Sequence, residues 1–204
     1  MHRSQLCGTR TGNGLRSHTR TTLFLPKTNG RHSVRGNRHR GRHPYPTLTK
    51  NYHYEAELVA VLGKGGRNIP VDKALDLVYG YTLGLDMTRR DLQRGMGDQK
   101  KPWEIGKSFD RSAPIGAVHK VAQTGHFTKG DIWLKVNGQV KQKADLNQMI
   151  WSVAEQISKL SEAFELFPGD IIYAGTPENV GPVVRGDVID MHIDGLPNLS
   201  VKIV

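Results

Sequence analysis

The chain has 204 residues, of which 37% are apolar and 24% charged, and a formal net charge of +10. That length suits one domain with a substantial core; no apolar run nears the roughly 18–20 residues a helical membrane span needs, and a single cysteine, Cys7, excludes a disulfide-stapled scaffold. The charge is unevenly placed: residues 1–43 carry ten Lys or Arg and no acid, whereas residues 44–204 hold 19 basic and 19 acidic residues and are neutral.

In chain order, residues 1–43 are rich in Arg, Thr, Gly and His, with one apolar cluster at Leu23-Phe24-Leu25. So little apolar surface does not offset chain entropy, and the composition predicts disorder. From Pro44 the pattern changes. Leu58–Leu62 is an apolar run closed by Gly63, Gly65 and Gly66, which predicts a buried strand and a turn. Pro70 opens a short helical stretch with Ala74, Leu75 and Val78 on one face. Tyr81–Leu85 reads as a strand ending at Asp86, and Thr88–Met96 as a turn or two of helix.

Asn137-Gly138 between Asp131–Val136 and Gln139–Gln142 predicts a hairpin. Ser152 and Glu155 form a capping-box pattern ahead of Val153, Ile157, Leu160 and Phe164 at helical spacing. Pro168-Gly169-Asp170 predicts a turn, Ile171–Ala174 a strand, and 188–204 a β-meander. The fold class expected is strand-rich α+β.

The sharpest chemical signal is Glu55-Ala-Glu57 at the head of an apolar strand. Side chains at i and i+2 of a strand share a face, about 7 Å apart. Two such anions resist desolvation unless a cation lies between them. Asp86 ends another strand in an apolar setting, and three carboxylates with no His or Cys nearby make a hard oxygen site for Mg²⁺, Mn²⁺ or Ca²⁺ rather than Zn²⁺. The competing reading is a solvated strand edge and an ordinary turn residue. Lys107 is open to two readings, an anion-binding group or a surface lysine. So is Gly175-Thr176-Pro177, which is either a carboxylate contact or a plain turn.

Taken together, several strings resemble the fumarylacetoacetate hydrolase family: Lys50-Asn-Tyr-His-Tyr-Glu55-Ala-Glu57-Leu-Val, Gly80-Tyr-Thr-Leu-Gly-Leu-Asp86-Met-Thr-Arg-Arg-Asp91-Leu-Gln93, Lys101-Pro-Trp-Glu-Ile-Gly-Lys107-Ser-Phe-Asp110, Trp133-Leu-Lys-Val-Asn-Gly138, and Pro168-Gly-Asp-Ile-Ile-Tyr-Ala-Gly175-Thr176-Pro177 with Val180-Gly-Pro182. The resemblance spans residues 44–204 and is nearest to the branch that hydrolyses fumarylpyruvate and related acylpyruvates. It implies a mixed β-sandwich roll, a cytoplasmic homodimer, and one divalent cation, Mg²⁺ or Mn²⁺, on Glu55, Glu57 and Asp86. Lys107 would stand beside the metal as a catalytic and substrate-binding group. Thr176 would contact the substrate carboxylate, and Gln93 would offer an amide to the substrate. A 2,4-dioxo acid would be attacked by water at its far carbonyl, and C–C cleavage would expel pyruvate as an enolate.

The resemblance also implies a base, a His–Glu pair in an Arg-Asn-Tyr-x-x-His-x-x-Glu pattern some forty residues before the metal acids. Residues 1–43 lack that pattern, and His18, in Arg-Ser-His-Thr-Arg, has none of its neighbours. Three expectations compete for this segment: a native basic tail, an organelle presequence, or an out-of-frame translation, the last being favoured. Activity below that of intact relatives is expected. The alternative activities on the same metal site are oxaloacetate decarboxylation and dienedioate isomerisation or decarboxylation. Nucleic-acid binding through the ten cations is not expected, because Phe24 is the only aromatic before Tyr45.

Overall fold

The computed structural model describes residues 22–24 and 41–204. Strands β1 (Thr22–Phe24), β2 (Gly41–His43), β3 (Tyr52–Tyr54) and β4 (Ala56–Leu62) come first, followed by helix α1 (Val71–Ala74) and a 3₁₀ turn, Leu75–Leu77. Strands β5 (Val78–Leu85) and β6 (Thr88–Arg89) lead into helix α2 (Arg90–Asp98) and a second 3₁₀ turn, Glu104–Gly106. Then come β7 (His119–Lys120), α3 (Val121–Thr124), the hairpin β8 (Asp131–Val136) and β9 (Gln139–Asp145), and helix α4 (Val153–Ala163). Strands β10 (Ile171–Tyr173), β11 (Gly181–Val183), β12 (Val188–Ile193) and β13 (Leu199–Ile203) complete the chain.

The strands form three sheets, ordered β1-β10-β4-β5-β7, β11-β3-β6 and β2-β13-β12-β8-β9. All described pairings are antiparallel except β13 with β2. The strand-rich α+β class expected from the sequence is the class observed. β4 is the apolar run, central in its sheet and buried along nearly its whole length. Its Leu58 and Leu62 share one core with Leu85, Leu134, Ile157, Ile172 and Ile189.

Local chemistry accounts for several boundaries. Asn137 (φ 51°) and Gly138 (φ 80°) both take positive φ, as a two-residue hairpin turn with the twist of its strands requires. Glu155 N–H donates to Ser152 Oγ at 3.3 Å and Ser152 N–H donates to Glu155 Oε2 at 2.8 Å, closing the capping box of α4. Val153, Ile157 and Leu160 form its buried face.

Two elements differ from the local pattern. Val78, expected on a helical face, opens β5 instead. Thr88 and Arg89 pair with His53 and Tyr52 of β3, so the helix expected from Thr88 begins at Arg90. In both cases a neighbouring strand satisfies the backbone before a helix can. Within residues 1–43, Thr22–Phe24 pairs with Ile171–Tyr173 and Gly41–His43 with Val201–Ile203. The remaining expectations for that segment, His18 among them, lie outside the described residues.

Candidate metal centre

The chain passes from β3 to β4, and so from one sheet to another, at Glu55, which belongs to neither strand. Glu57 lies two residues on in β4, opposite Gly84 of β5. Asp86 follows the end of β5, and its N–H donates to the Glu55 carbonyl at 2.9 Å. The three acids therefore converge because β4 and β5 are paired neighbours. One carboxylate oxygen from each lies within 4.8 Å of the others. All three are buried, at 2% exposure for Glu55 and 0% for Glu57 and Asp86.

Lys107 arrives from the other side, directly after the 3₁₀ turn Glu104–Gly106. Its Nζ donates to Glu55 Oε2 at 2.8 Å and to Asp86 Oδ2 at 2.7 Å. Gly106 lets that turn lie on α2: a Cβ there would meet Gln93 backbone N and Cβ at 2.7 Å. Arg90, the first residue of α2 and buried, donates through Nη2 to Glu55 Oε1 and through Nη1 to Gln93 Oε1 at 3.2 Å. Gly175 N–H donates to Glu57 Oε2 at 2.7 Å. The Gly175-Thr176-Pro177 segment thus does present an N–H to a carboxylate, and the carboxylate is the protein's own.

Three buried anions face two buried cations, and the imbalance falls on Glu57. Burial pushes its carboxyl well above the ordinary range, the charges of Asp86 and Glu55 push it further, and Lys107 and the Gly175 N–H offset only part. Burial also disfavours ionised Glu55, but Lys107 and Arg90 outweigh it and hold that carboxyl below its usual value. Lys107 is held above its usual value, burial being overcome by Asp86 and Glu55. Glu57 Oε1 is buried with no hydrogen-bond partner among the described residues. A buried carboxylate oxygen without a donor, among two further carboxylates, fits a hard divalent cation.

Of the residues singled out from sequence, Glu55, Glu57, Asp86 and Lys107 meet at this point. Gln93 is joined to it through Arg90. Thr176, 5% exposed, follows Gly175 on the loop after β10.

The model of the fumarylacetoacetate (FAA) hydrolase C-terminal family matches residues 22–204. The chain belongs to the fumarylacetoacetate hydrolase family. A fumarylpyruvate hydrolase from Ralstonia sp. is 45% identical over 159 residues, 78% of this chain and 82% of that protein. The human mitochondrial oxaloacetate tautomerase FAHD1 is 41% identical over 158 residues, 78% of this chain and 72% of that protein. The crystal structure of fumarylpyruvate hydrolase from Pseudomonas aeruginosa in complex with Mn²⁺ and pyruvate superposes with a TM-score of 0.82 and 52% identity, covering 84% of this chain and 73% of that one. The strand-rich α+β fold, built of several sheets, matches solved structures of fumarylpyruvate hydrolases, and the chain belongs to a family of enzymes that includes them.

Three further groups in or beside this family site were not singled out from sequence. Arg90 stands within the Asp86–Gln93 string, where two adjacent arginines beside an acid were a signal in principle. Tyr173 is fully buried. Its ring lies against Gly84, the residue paired with Glu57, and burial, then the charges of Asp86 and Glu57, push its hydroxyl pKa well above the usual value. Gln142 is a single buried polar residue in an exposed strand, and nothing in the local pattern distinguishes it.

Proposed function

We propose that this chain hydrolyses a C–C bond in a 2,4-dioxo acid, an acylpyruvate such as fumarylpyruvate, and releases pyruvate. The observation that carries the proposal is the buried convergence of Glu55, Glu57 and Asp86 around Lys107. A divalent cation, Mg²⁺ or Mn²⁺, held by the three carboxylates would supply Lewis-acid stabilisation of charge on an oxo acid. The Lys107 ammonium has three N–H groups and spends two on Glu55 and Asp86. The third is available to an oxygen on which negative charge develops as the C–C bond breaks. Burial makes that contribution larger than it would be in water. Thr176 supplies a hydroxyl to the substrate carboxylate, and Gln93, oriented by Arg90, an amide to its distal portion.

Water adds to the carbonyl carbon distal to the pyruvate unit, the bond between that carbon and the pyruvate methylene breaks, and its electron pair leaves with the pyruvate portion, which takes up a proton. The water needs a base. No Glu precedes Glu55, so the family's His–Glu pattern is missing upstream of it. We therefore expect turnover of this chain to fall well below that of the relatives while metal binding is kept. Incubation with fumarylpyruvate and Mn²⁺ tests this: loss of the dioxo-acid ultraviolet band with pyruvate formed supports hydrolysis, and a rate equal to the relatives' overturns the missing base. Finding Arg-Asn-Tyr-x-x-His-x-x-Glu in another frame upstream of codon 44 would support a frame error there, and its absence would overturn one.

A second reading, decarboxylation of oxaloacetate on the same metal site, is supported by 41% identity over 151 residues to a mitochondrial oxaloacetate decarboxylase from Dictyostelium discoideum. Carbon dioxide release from oxaloacetate without attack on fumarylpyruvate would favour it. A homodimer belongs to the same proposal, and light scattering of the purified chain tests it.

A further inference from the structure

Gln142 is buried at 0% exposure in β9, a strand otherwise open to solvent or half-buried. The β8–β9 pairing explains how it gets there. Leu134 is paired with Gln142 but Lys135 with Val140, so Lys141 is an extra residue and the ladder bulges. A bulge re-aims the side chain beside it. Val140 on one side stays 55% exposed while Gln142 turns inward.

The amide it buries joins the two halves of the site. Oε1 accepts from the N–H of Ala56, the residue between Glu55 and Glu57, at 3.1 Å. The two N–H groups of Nε2 serve three acceptors, Thr176 Oγ1 at 3.0 Å and the adjacent carbonyls of Pro177 at 2.8 Å and Glu178 at 3.2 Å. The partners settle which end of the amide is which. A flipped amide would set its NH₂ against the Ala56 N–H and its oxygen against two carbonyls. With Nε2 as donor, Thr176 Oγ1 is the acceptor of that bond, and the single hydroxyl proton of Thr176 is directed elsewhere.

We infer that Gln142 is a positioning residue for substrate: it ties the Thr176 loop to the metal-ligand strand and holds the Thr176 hydroxyl as a donor to the carboxylate of a bound oxo acid. The inference rests on the oxo-acid reading of the site and deepens it. Gln142 touches no substrate atom and acts through Thr176. Its loss removes the fixed direction of one charge-assisted hydrogen bond, worth about ten- to a hundredfold in affinity.

The test uses the full chain loaded with Mn²⁺ and pyruvate as the probe, with titration calorimetry for each, in the parent protein, Gln142→Met, Thr176→Val and the double variant. Gln142→Met should weaken pyruvate binding about tenfold or more while Mn²⁺ affinity changes less than about threefold. The double variant should bind pyruvate no more weakly than Thr176→Val alone, because both changes remove the same bond. Additive losses would show that Gln142 does not act through Thr176. A lowered melting temperature with unchanged pyruvate affinity in the folded fraction would make Gln142 purely structural. Either result overturns the inference and leaves the oxo-acid reading standing. A Mn²⁺-loaded parent protein that binds no pyruvate overturns both. If Gln142→Met does not fold, Gln142→Asn, which keeps both amide ends on a shorter stem, should show the same weakened pyruvate binding with Mn²⁺ affinity kept; unchanged pyruvate affinity would overturn the inference.

Discussion

Glu57 and Lys107 carry opposite consequences for stability, although both are buried polar groups in one site. Glu57 is fully buried, has two like-charged neighbours and one N–H donor, so its ionised form is disfavoured in the metal-free protein. Glu57→Gln keeps the shape and removes the repulsion. It should abolish stoichiometric Mg²⁺ or Mn²⁺ binding by calorimetry while leaving the metal-free melting temperature equal or higher. Retained stoichiometric binding would refute the ligand assignment. Lys107 is different, because its ammonium is shared by Glu55 and Asp86. Lys107→Met leaves two carboxylates without that partner and should cost about 3–5 kcal/mol in denaturant unfolding without metal. Added Mn²⁺ should recover much of the loss, because a dication among the same acids replaces the missing charge.

Among the elements, β5 is held by close packing at Gly84 and α2 by hydrogen bonds to the Asp91 side chain. Gly84 pairs with Glu57, and a Cβ there would lie 2.5 Å from Val59 Cγ2 and 2.7 Å from Tyr173 Cε1, all in the core. Gly84→Ala should therefore destabilise the fold by about 1–3 kcal/mol through overpacking, read as a lower denaturant midpoint. At the start of α2, Asp91 accepts from the Thr49 hydroxyl at 2.5 Å and from the Lys50 N–H at 2.9 Å, tying residues 49–50 to the helix. Partial burial pushes the Asp91 carboxyl up, but the bonds from Thr49, Lys50 and Leu92 outweigh it and hold it below its ordinary value. A carboxyl lowered in the folded state stabilises above its unfolded pKa of about 3.9, and the contribution is lost as pH falls through the folded value. The stability difference between the parent protein and Asp91→Asn should shrink across that acid range and be constant near neutrality.

For the molecule as a whole, the proposed metal site would link metal binding to folding. The three proposed ligands lie just before β4, within β4 and just after β5, so an unfolded chain does not present them together. Mn²⁺ at about a hundred times its dissociation constant should add about 2.7 kcal/mol. For a chain of this size that corresponds to a rise of roughly 5–10 °C in melting temperature, reversed by a chelator and missing in Glu57→Gln. The net charge of +10 has no part in this, since residues 44–204 are neutral and the site lies within them.

The elements whose cause is local are legible in residue order alone. The 137–138 turn, the capped helix from Val153, the β4 run and the Glu55–Glu57 pair at its head all follow from residue type and short spacing. The acids stand out because charge at the end of an apolar strand is locally anomalous. The surroundings of those acids are not legible in the same way. Arg90 reaches Glu55 across 35 residues, Gln142 reaches Ala56 across 86 and Gly175 reaches Glu57 across 118. Such contacts depend on which strands pair and where a bulge falls, and periodicity carries neither. Residue order by itself put two carboxylates at the head of one apolar strand and a third at the end of another, and left open whether they were buried. Sheet pairing decided which cations and N–H groups compensate them, because a buried charge is tolerated only where the whole fold brings its partners.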